Sequence, residues 1–185
     1  LMFFKNEKYL LDKTSLIDAL KKMLNVEAFS NEKDQQYMYR LECDEPQRIV
    51  LCENLDFLTK PNKPRKHHIE LWYAGGKNVA KLHYAKDRDL PIYYSCDWDY
   101  DGLFIIYPLV KQKIPNITLL LPNGMPKSIS ETEHRSLWQN KTKRDELADT
   151  GTFNTEELSL IDTLISQDQW IIEESNDLVT MLNLS

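Results

Sequence analysis

The stretch that most constrains this chain is a strand-like segment followed at once by three acids at alternate positions. Residues 91–96 are rich in β-forming side chains, and after them come Asp97, Asp99 and Asp101, before Gly102. In an α/β unit, ligands bind beyond the carboxyl ends of the strands, so we expect these acids to line a crevice at a sheet edge. Asp97 and Asp99 then share one face, whereas Asp101 lies near the start of the next helix. Such oxygen ligands are typical of a Mg²⁺ site, which Mn²⁺ can also fill.

The order Asp-x-Asp-x-Asp-Gly also opens the calcium loop of an EF-hand. That loop needs a bidentate glutamate at its twelfth position, and counting from Asp97 this position is Pro108. An EF-hand also needs an incoming helix, whereas the residues before Asp97 predict a strand. Because both requirements fail, the sequence favours magnesium over a calcium loop.

Strand-like and helix-like segments alternate along the middle of the chain. This alternation predicts an α/β fold with a mainly parallel sheet of about four strands, flanked by helices. The other strands are predicted to start at Arg48, Ile69 and Ile117. Helices are predicted after the first three strands, over residues 77–84 after the second and over residues 101–113 after the third.

Glu53 ends the strand that starts at Arg48, so we expect it at the same sheet edge as the three aspartates. Two strand ends would then supply four acids to one crevice. Glu53 is predicted to be a metal ligand or a proton acceptor, while the aspartates hold one or two Mg²⁺ ions. A simpler alternative is that the acids cap a helix and face solvent.

The two ends of the chain have a different pattern. Apolar side chains at helical spacing predict a helix within residues 9–24, and an extended arm follows it. Beyond Gly124, a polar helix is predicted over residues 130–143, and an amphipathic helix with a capping signal starts at Asn154. We therefore divide the chain into an N-terminal helix and arm (1–45), a core (46–125) and a C-terminal helical extension packed on the core (126–185).

Composition sets limits on the function. The net charge of −6 argues against a free-standing basic nucleic-acid binder, but not against a nuclease whose acids are offset by metal. No apolar run approaches the roughly 18 residues of a membrane span and no signal peptide is visible, so we expect a cytoplasmic protein without membrane contact. The cysteines are predicted to be reduced, with Cys52 and Cys96 inside strands. Because the chain begins with Leu1, we expect a longer parent protein.

The pattern of acids and glycines resembles the Toprim domain of topoisomerases, primases and related nucleases. Members of that family carry a glutamate after the first strand, a glycine-bearing turn after the second and Asp-x-Asp after the third. The matching positions here are Glu53, Gly75-Gly76 and Asp97-Trp-Asp99. The resemblance covers residues 48–122 and implies a Rossmann-like Toprim fold that binds Mg²⁺.

Further motifs resemble the C-terminal Toprim domain of the Wadjet anti-plasmid nuclease subunit, a group related to the topoisomerase VI A-subunit. These motifs lie at residues 52–57, 73–76 and 153–158. That group has a late Glu-Gln-Glu-like element after its last long helix, where this chain has Ile172-Glu173-Glu174. The resemblance implies that Glu174 is an extra metal ligand, with Glu173 as the alternative.

The resemblance also implies Mg²⁺-dependent cleavage of DNA phosphodiester bonds by Glu53, Asp97 and Asp99, together with protein partners in an anti-plasmid or anti-phage defence complex. Topoisomerases of this lineage use a tyrosine nucleophile on a separate winged-helix domain, for which the residues before the core are too few. Tyr37 and Tyr39 are expected to be packing side chains. Water is therefore the predicted nucleophile, which makes a nuclease or nickase without ligation.

A basic run at residues 60–68 follows Glu53. It is predicted to contact DNA phosphates near the metal site, although a solvated loop is the alternative. Lys77, at a predicted helix start, is predicted to be a further phosphate contact. His83 and His134 are isolated in the sequence and are predicted to be structural. The predicted DNA-binding side chains are Lys63, Arg65, Lys66 and Lys77.

Two other functions stay open. A non-catalytic Toprim-like module would bind DNA or a protein partner and keep the metal for structure. A phosphatase of the haloacid-dehalogenase type also places Asp-x-Asp after a buried strand. In that pattern, however, the position of Asp101 is normally Thr or Val.

Overall fold

The computed structural model describes residues 14–25, 38–73, 89–130, 134–138 and 141–184, together with Gly75, Val79 and Leu82. The chain divides into two units, Leu1–Tyr37 and Met38–Ser185. In the first unit, helix α1 spans Thr14–Leu24, within the segment predicted to be helical. The second unit includes both of the predicted domain boundaries.

A five-stranded sheet forms the centre of the second unit, in the order β1-β3-β2-β4-β5. The β2–β3, β2–β4 and β4–β5 pairs are parallel, whereas the edge strand β1 runs antiparallel to β3. The α/β class and the four parallel strands are therefore confirmed, and a fifth strand lies in the segment predicted to be an arm. The strands are β1 Tyr39–Leu41, β2 Arg48–Cys52, β3 Ile69–Tyr73, β4 Ile92–Ser95 and β5 Thr118–Leu119.

Strand β2 shows why these segments form a covered sheet. Ile49 and Leu51 belong to one buried apolar cluster, and Val50 and Cys52 belong to the cluster on the opposite face. Because successive side chains of a strand point to opposite faces, an unbroken apolar run is buried only where both faces are covered. The thiols of Cys52 and Cys96 are buried, as predicted, and the pKa of each is raised by that burial.

Helices connect the strands and form the C-terminal extension. The segment predicted as one helix over 101–113 begins with a wider π-helical turn, Asp101–Ile106, and continues as an α-helix. The helix predicted over 77–84 lies mostly outside the described residues, although Val79 and Leu82 are buried as expected. In the described part of the second unit, the α-helices are α2 Asp56–Thr59, α3 Asn62–Lys66, α4 Tyr107–Lys113, α5 Lys141–Asp149, α6 Thr155–Ser166 and α7 Leu178–Met181.

The C-terminal extension packs against the sheet rather than forming a separate core. Phe153 and Ile161 belong to the same buried cluster as Tyr94 of β4. Helix α6 begins with the predicted capping box, in which the Asn154 side chain accepts from Glu157 N at 2.9 Å and the Glu157 carboxylate accepts from Asn154 N at 2.7 Å. The short strands β6 Lys127–Ser128 and β7 Gln169–Trp170 pair with each other.

One prediction for the extension is wrong. A helix was expected over residues 130–143, but the described segment 134–138 is not helical, and α5 begins only at Lys141. Trp138 explains the difference, because its Nε1 donates to the Gln169 carbonyl at 2.7 Å and its ring packs against Phe104. The segment is thus held by side-chain contacts with the core. Among the described helices, none is long and apolar enough to cross a membrane.

Candidate functional site

The acids meet where the strand order of the sheet reverses, between β2 and β4. Strands β2 and β4 are parallel neighbours in which Cys52 lies opposite Ser95, so the residues that follow them emerge at one edge. The chain leaving β2 returns as β3 on one side, and the chain leaving β4 returns as β5 on the other. Such a switch point is where open α/β sheets bind ligands.

Glu53 and Asp97 are in direct contact at this edge. Glu53 N donates to the Ser95 carbonyl at 3.0 Å, which extends the β2–β4 pairing by one residue. Glu53 Oε2 then accepts from Asp97 N at 3.2 Å. The predicted meeting of the two strand ends is confirmed for this pair.

Gly102 lets the helix that follows β4 approach the two acids. A Cβ added to Gly102 would lie 2.2 Å from the Asp97 carbonyl oxygen and 3.1 Å from Glu53 Oε2. The first distance is far inside van der Waals contact with backbone, so a larger residue cannot fit without moving the turn. The glycine that follows the three aspartates is therefore required by packing at this site.

The three aspartates make different contacts. Asp97 Oδ1 accepts from Glu173 N at 2.7 Å. Asp99 is buried, and its Oδ1 accepts from Gly102 N at 2.7 Å at the start of the π-helical turn. Asp101 is the first residue of that turn, near the helix start as predicted, and its N donates to Ser136 Oγ at 2.7 Å. Asp99 thus helps to start the helix, although the sequence indicated Asp101 for that position.

Glu173 is the late acid that enters the cluster. Its side chain is fully buried, and its carboxylate accepts from Glu53 N at 3.3 Å and from Asn54 N at 2.7 Å. Its own N–H donates to Asp97, so this one residue joins both strand ends. Glu174, the first choice from the sequence, is exposed and acts on Asp97 only through its charge, which contributes to raising the pKa of Asp97.

His134, which is isolated in the sequence and was predicted to be structural, also lies at the cluster. Its Nε2 lies 2.6 Å from Asp99 Oδ2. Its ring stacks on Trp170, with 3.7 Å between the ring centroids and 7° between the planes. No local signal marks this histidine, because the contact joins residues 35 positions apart.

Negative charge is unfavourable in this cluster. Burial, followed by the charges of Asp97 and Asp99, raises the pKa of Glu53 from 4.5 to about 8. Burial also raises the pKa of Asp97 from 3.8 to about 6, against the hydrogen bond from the Glu173 backbone. The pKa of Glu173 is raised well above its usual value, again chiefly by burial. Among the described residues, no lysine or arginine pairs with these three acids.

The cluster fits a divalent cation in donor type. Carboxylate oxygens are the ligands that Mg²⁺ and Mn²⁺ prefer, and buried acids without a protein cation are stabilised by bound metal. Yet within the described ranges no three His, Cys, Asp or Glu side chains converge as a ready ligand set. Instead Glu53 Oε2, Asp97 Oδ1 and both oxygens of Asp99 have hydrogen-bond contacts within the protein.

The predicted DNA-binding residues lie mainly on α3. The Lys63 ammonium pairs with Asp177, which lowers the pKa of that carboxyl, and Arg65 Nε donates to the Glu42 carbonyl at 3.2 Å. Lys66 is exposed. Lys77 lies outside the described residues, as do Gly76, His83 and Tyr37, whereas Tyr39 is exposed on the edge strand.

Comparison with known proteins adds no family to this description, because neither a family model nor a curated protein matches the chain. The structure itself shows two neighbouring parallel strands that are each followed by acids. From the extension, Glu173 bonds to the backbone after β2, and His134 contacts Asp99 after β4.

Proposed function

We propose that this edge is a divalent-metal site of Toprim type that cleaves DNA phosphodiester bonds. The observation that carries the proposal is the contact between Glu53 and Asp97, which follow adjacent parallel strands at the switch point of the sheet. The order of glutamate, glycine turn and Asp-x-Asp along the chain supports the Toprim assignment. The protein would act within a larger protein or a defence complex, on DNA as its substrate.

The residues present can divide the chemistry of hydrolysis between them. Glu53 follows β2 directly beside Asp97, in a position where it would accept a proton from the attacking water. Asp97, together with Asp99 and Asp101, would hold the cation, which when bound would polarise the phosphate and activate water. Exposed Lys66 and its neighbours on α3 would contact the DNA backbone.

Plasmid nicking by the full-length protein, with its partners present, tests this proposal. We expect nicking in Mg²⁺ or Mn²⁺, none in chelator, and a loss of about 100-fold or more in Asp97→Asn. Asn keeps the size of the side chain and one acceptor oxygen but removes the charge that binds metal. Glu156→Gln, an exposed acid of α6, is the matched control and should nick like the wild type. Absence of metal-dependent cleavage in the wild-type complex would show that the nuclease assignment is wrong.

A non-catalytic Toprim-like module is the second candidate. It is favoured by the burial of Asp99, which lies in contact with His134. Such a module would show a rise in melting temperature with Mg²⁺ or Mn²⁺ but no nicking. A phosphatase would instead release phosphate from small monoesters, which a chromogenic phosphate ester would detect in the same samples.

A further inference from the structure

The loop between β5 and β6 carries the only Asn-Gly pair of the sequence, Asn123-Gly124. Neither the predicted metal site nor the predicted DNA contacts use this pair. An asparagine loses its side-chain amide most readily before glycine, because glycine has no side chain to keep its own nitrogen away from the carboxamide carbon. The pair is therefore a site of chemical modification unless the fold prevents the reaction.

This deamidation needs no reactant except water. The backbone nitrogen of Gly124 attacks Cγ of Asn123, and a new C–N bond closes a succinimide ring. The side-chain nitrogen leaves as ammonia, which takes up the proton of the glycine amide. Water then opens the ring at either carbonyl and gives aspartate or isoaspartate. The attack requires a Gly124 nitrogen that is free and a carboxamide that can turn towards it.

Asn176 binds both backbone amides of the pair. Asn123 N and Gly124 N each donate to Asn176 Oδ1 at 2.8 Å. Asn176 is buried, and its Nδ2 donates to the carbonyls of Ile172 and Glu173 at 3.1 Å and 3.0 Å. The acceptor oxygen is therefore fixed in place, and the Gly124 N–H points at it rather than at the Asn123 side chain.

The Asn123 carboxamide is held by the backbone of Asp177. Its Oδ1 accepts from Asp177 N at 2.9 Å, and its Nδ2 donates to the Asp177 carbonyl at 3.1 Å. Turning the carboxamide towards Gly124 N would break both bonds. Gly124 also lies tightly against Ser175, where an added Cβ would be 2.0 Å from Oγ. Both reacting groups are thus held in contacts that the reaction must break.

We propose that Asn123-Gly124 is a latent deamidation site, which the folded protein keeps unreactive through Asn176 and the backbone of Asp177. This inference does not depend on the metal site or on DNA cleavage. Deamidation then requires the loop to leave residues 173–177, so its rate measures that local opening.

The product of the reaction cannot restore the contacts of the loop. In aspartate, a carboxylate oxygen replaces the Nδ2 donor that faces the Asp177 carbonyl. Isoaspartate also lengthens the backbone between the two amides that share Asn176 Oδ1. Deamidation is therefore an irreversible release of this loop from the segment that carries Glu173.

Peptide mapping by mass spectrometry measures deamidation while the protein is incubated at mildly alkaline pH. Tryptic cuts after Lys113 and Lys127 place Asn123 in one peptide with the exposed Asn116, which precedes the β-branched Ile117 and serves as the internal reference. Four hydrogen bonds hold the pair in the fold. We therefore expect Asn123 to react about 100-fold or more slowly in the folded wild type than in the chain unfolded by urea.

Asn176→Ala removes the acceptor of both amides. Since one hydrogen bond shifts local opening by about 2-fold to 10-fold, this variant should deamidate at Asn123 about 10-fold faster than the wild type. Thr180→Ala, an exposed residue of α7 whose side chain takes no part in these bonds, is the matched control and should react like the wild type. Circular dichroism shows whether Asn176→Ala is folded.

Hydrogen exchange of the wild type decides the question if Asn176→Ala does not fold. The amides of Asn123 and Gly124 should exchange about 10-fold or more slowly in the folded protein than in the urea-unfolded chain. Rapid exchange of both amides in the folded wild type would overturn the inference. Equal deamidation rates of the folded and unfolded wild type would do the same.

A folded Asn176→Ala that deamidates no faster than the wild type would also overturn the inference, because Asn176 would then not protect the pair. Failure of the proposed function looks different. In that case the wild-type protein with its partners leaves plasmid DNA intact, while the deamidation rates follow the expected order.

Discussion

Replacing Glu53 with Gln should make the metal-free protein more stable, and increasingly so as the pH rises. The folded state raises the pKa of Glu53 from 4.5 to about 8, so it binds the carboxyl proton more tightly than the unfolded chain does. The stability linked to this proton is fully present below about pH 4.5 and is lost as the pH rises through about 8. Asp97, whose pKa is raised from 3.8 to about 6, adds a loss of stability as the pH rises through this lower range.

The size of the change in stability follows from the pKa shift of Glu53. One pKa unit corresponds to about 1.4 kcal/mol, so ionising Glu53 in the fold costs on the order of 3 kcal/mol between pH 5 and pH 8. Glutamine cannot ionise, and its amide oxygen can still accept from Asp97 N. The free energy of unfolding of Glu53→Gln should therefore exceed that of the wild type by a margin that widens by about 3 kcal/mol over this range.

Urea denaturation in chelator, at several pH values from 5 to 8, measures this margin. Glu156→Gln, which changes an exposed glutamate, should follow the wild-type curve. A margin between Glu53→Gln and the wild type that stays constant across the range would refute the reasoning. It would mean that the fold does not raise the pKa of Glu53 and that the cluster does not disfavour a negative charge on this side chain.

Two further substitutions, each with a matched control, test the packing at Gly102 and the hydrogen bonds of Glu173. Gly102→Ala should lower the free energy of unfolding by about 2 kcal/mol or more, since its Cβ would meet the Asp97 carbonyl at 2.2 Å. Gly151→Ala, at a positive φ of 66° with nothing within 4 Å, should cost only about 1 kcal/mol, and equal losses in urea denaturation would contradict this account. Glu173→Ala should speed hydrogen exchange of the Asn54 amide, which loses its acceptor, more than that of the Glu53 amide, which keeps the Ser95 carbonyl, whereas Glu174→Ala should leave both unchanged.

Much of the sheet and part of the site could be predicted because their signals are local. The unbroken apolar run of β2 lies directly before Glu53, and the run of β4 lies directly before the three aspartates, so each strand could be predicted together with the acids at its end. Strand β1 was predicted only as an extended arm, because three residues with Tyr39 exposed are too short to show a period.

The remaining parts of the site depend on contacts that no local pattern encodes. Glu173 meets Glu53 from 120 positions away, and Ile172-Glu173-Glu174 offers no sign of which acid turns inward. Tertiary contact also decided the segment around Trp138, whose hydrogen bond to Gln169 holds it outside a helix. The choice between Glu173 and Glu174 could be made only from the fold.

The hydrogen bonds of Glu173 also set an order of assembly during synthesis. When β2 and β4 have left the ribosome, Glu53 and Asp97 are already available, and the Glu53 amide can bond to the Ser95 carbonyl, but the acceptor for the Asn54 amide has not yet been made. The sheet edge that carries the acids reaches its final geometry only after α6 and Glu173, which follows it in the chain, have left the ribosome. A nascent chain therefore carries the acids of the site before it carries the residue that holds them in place.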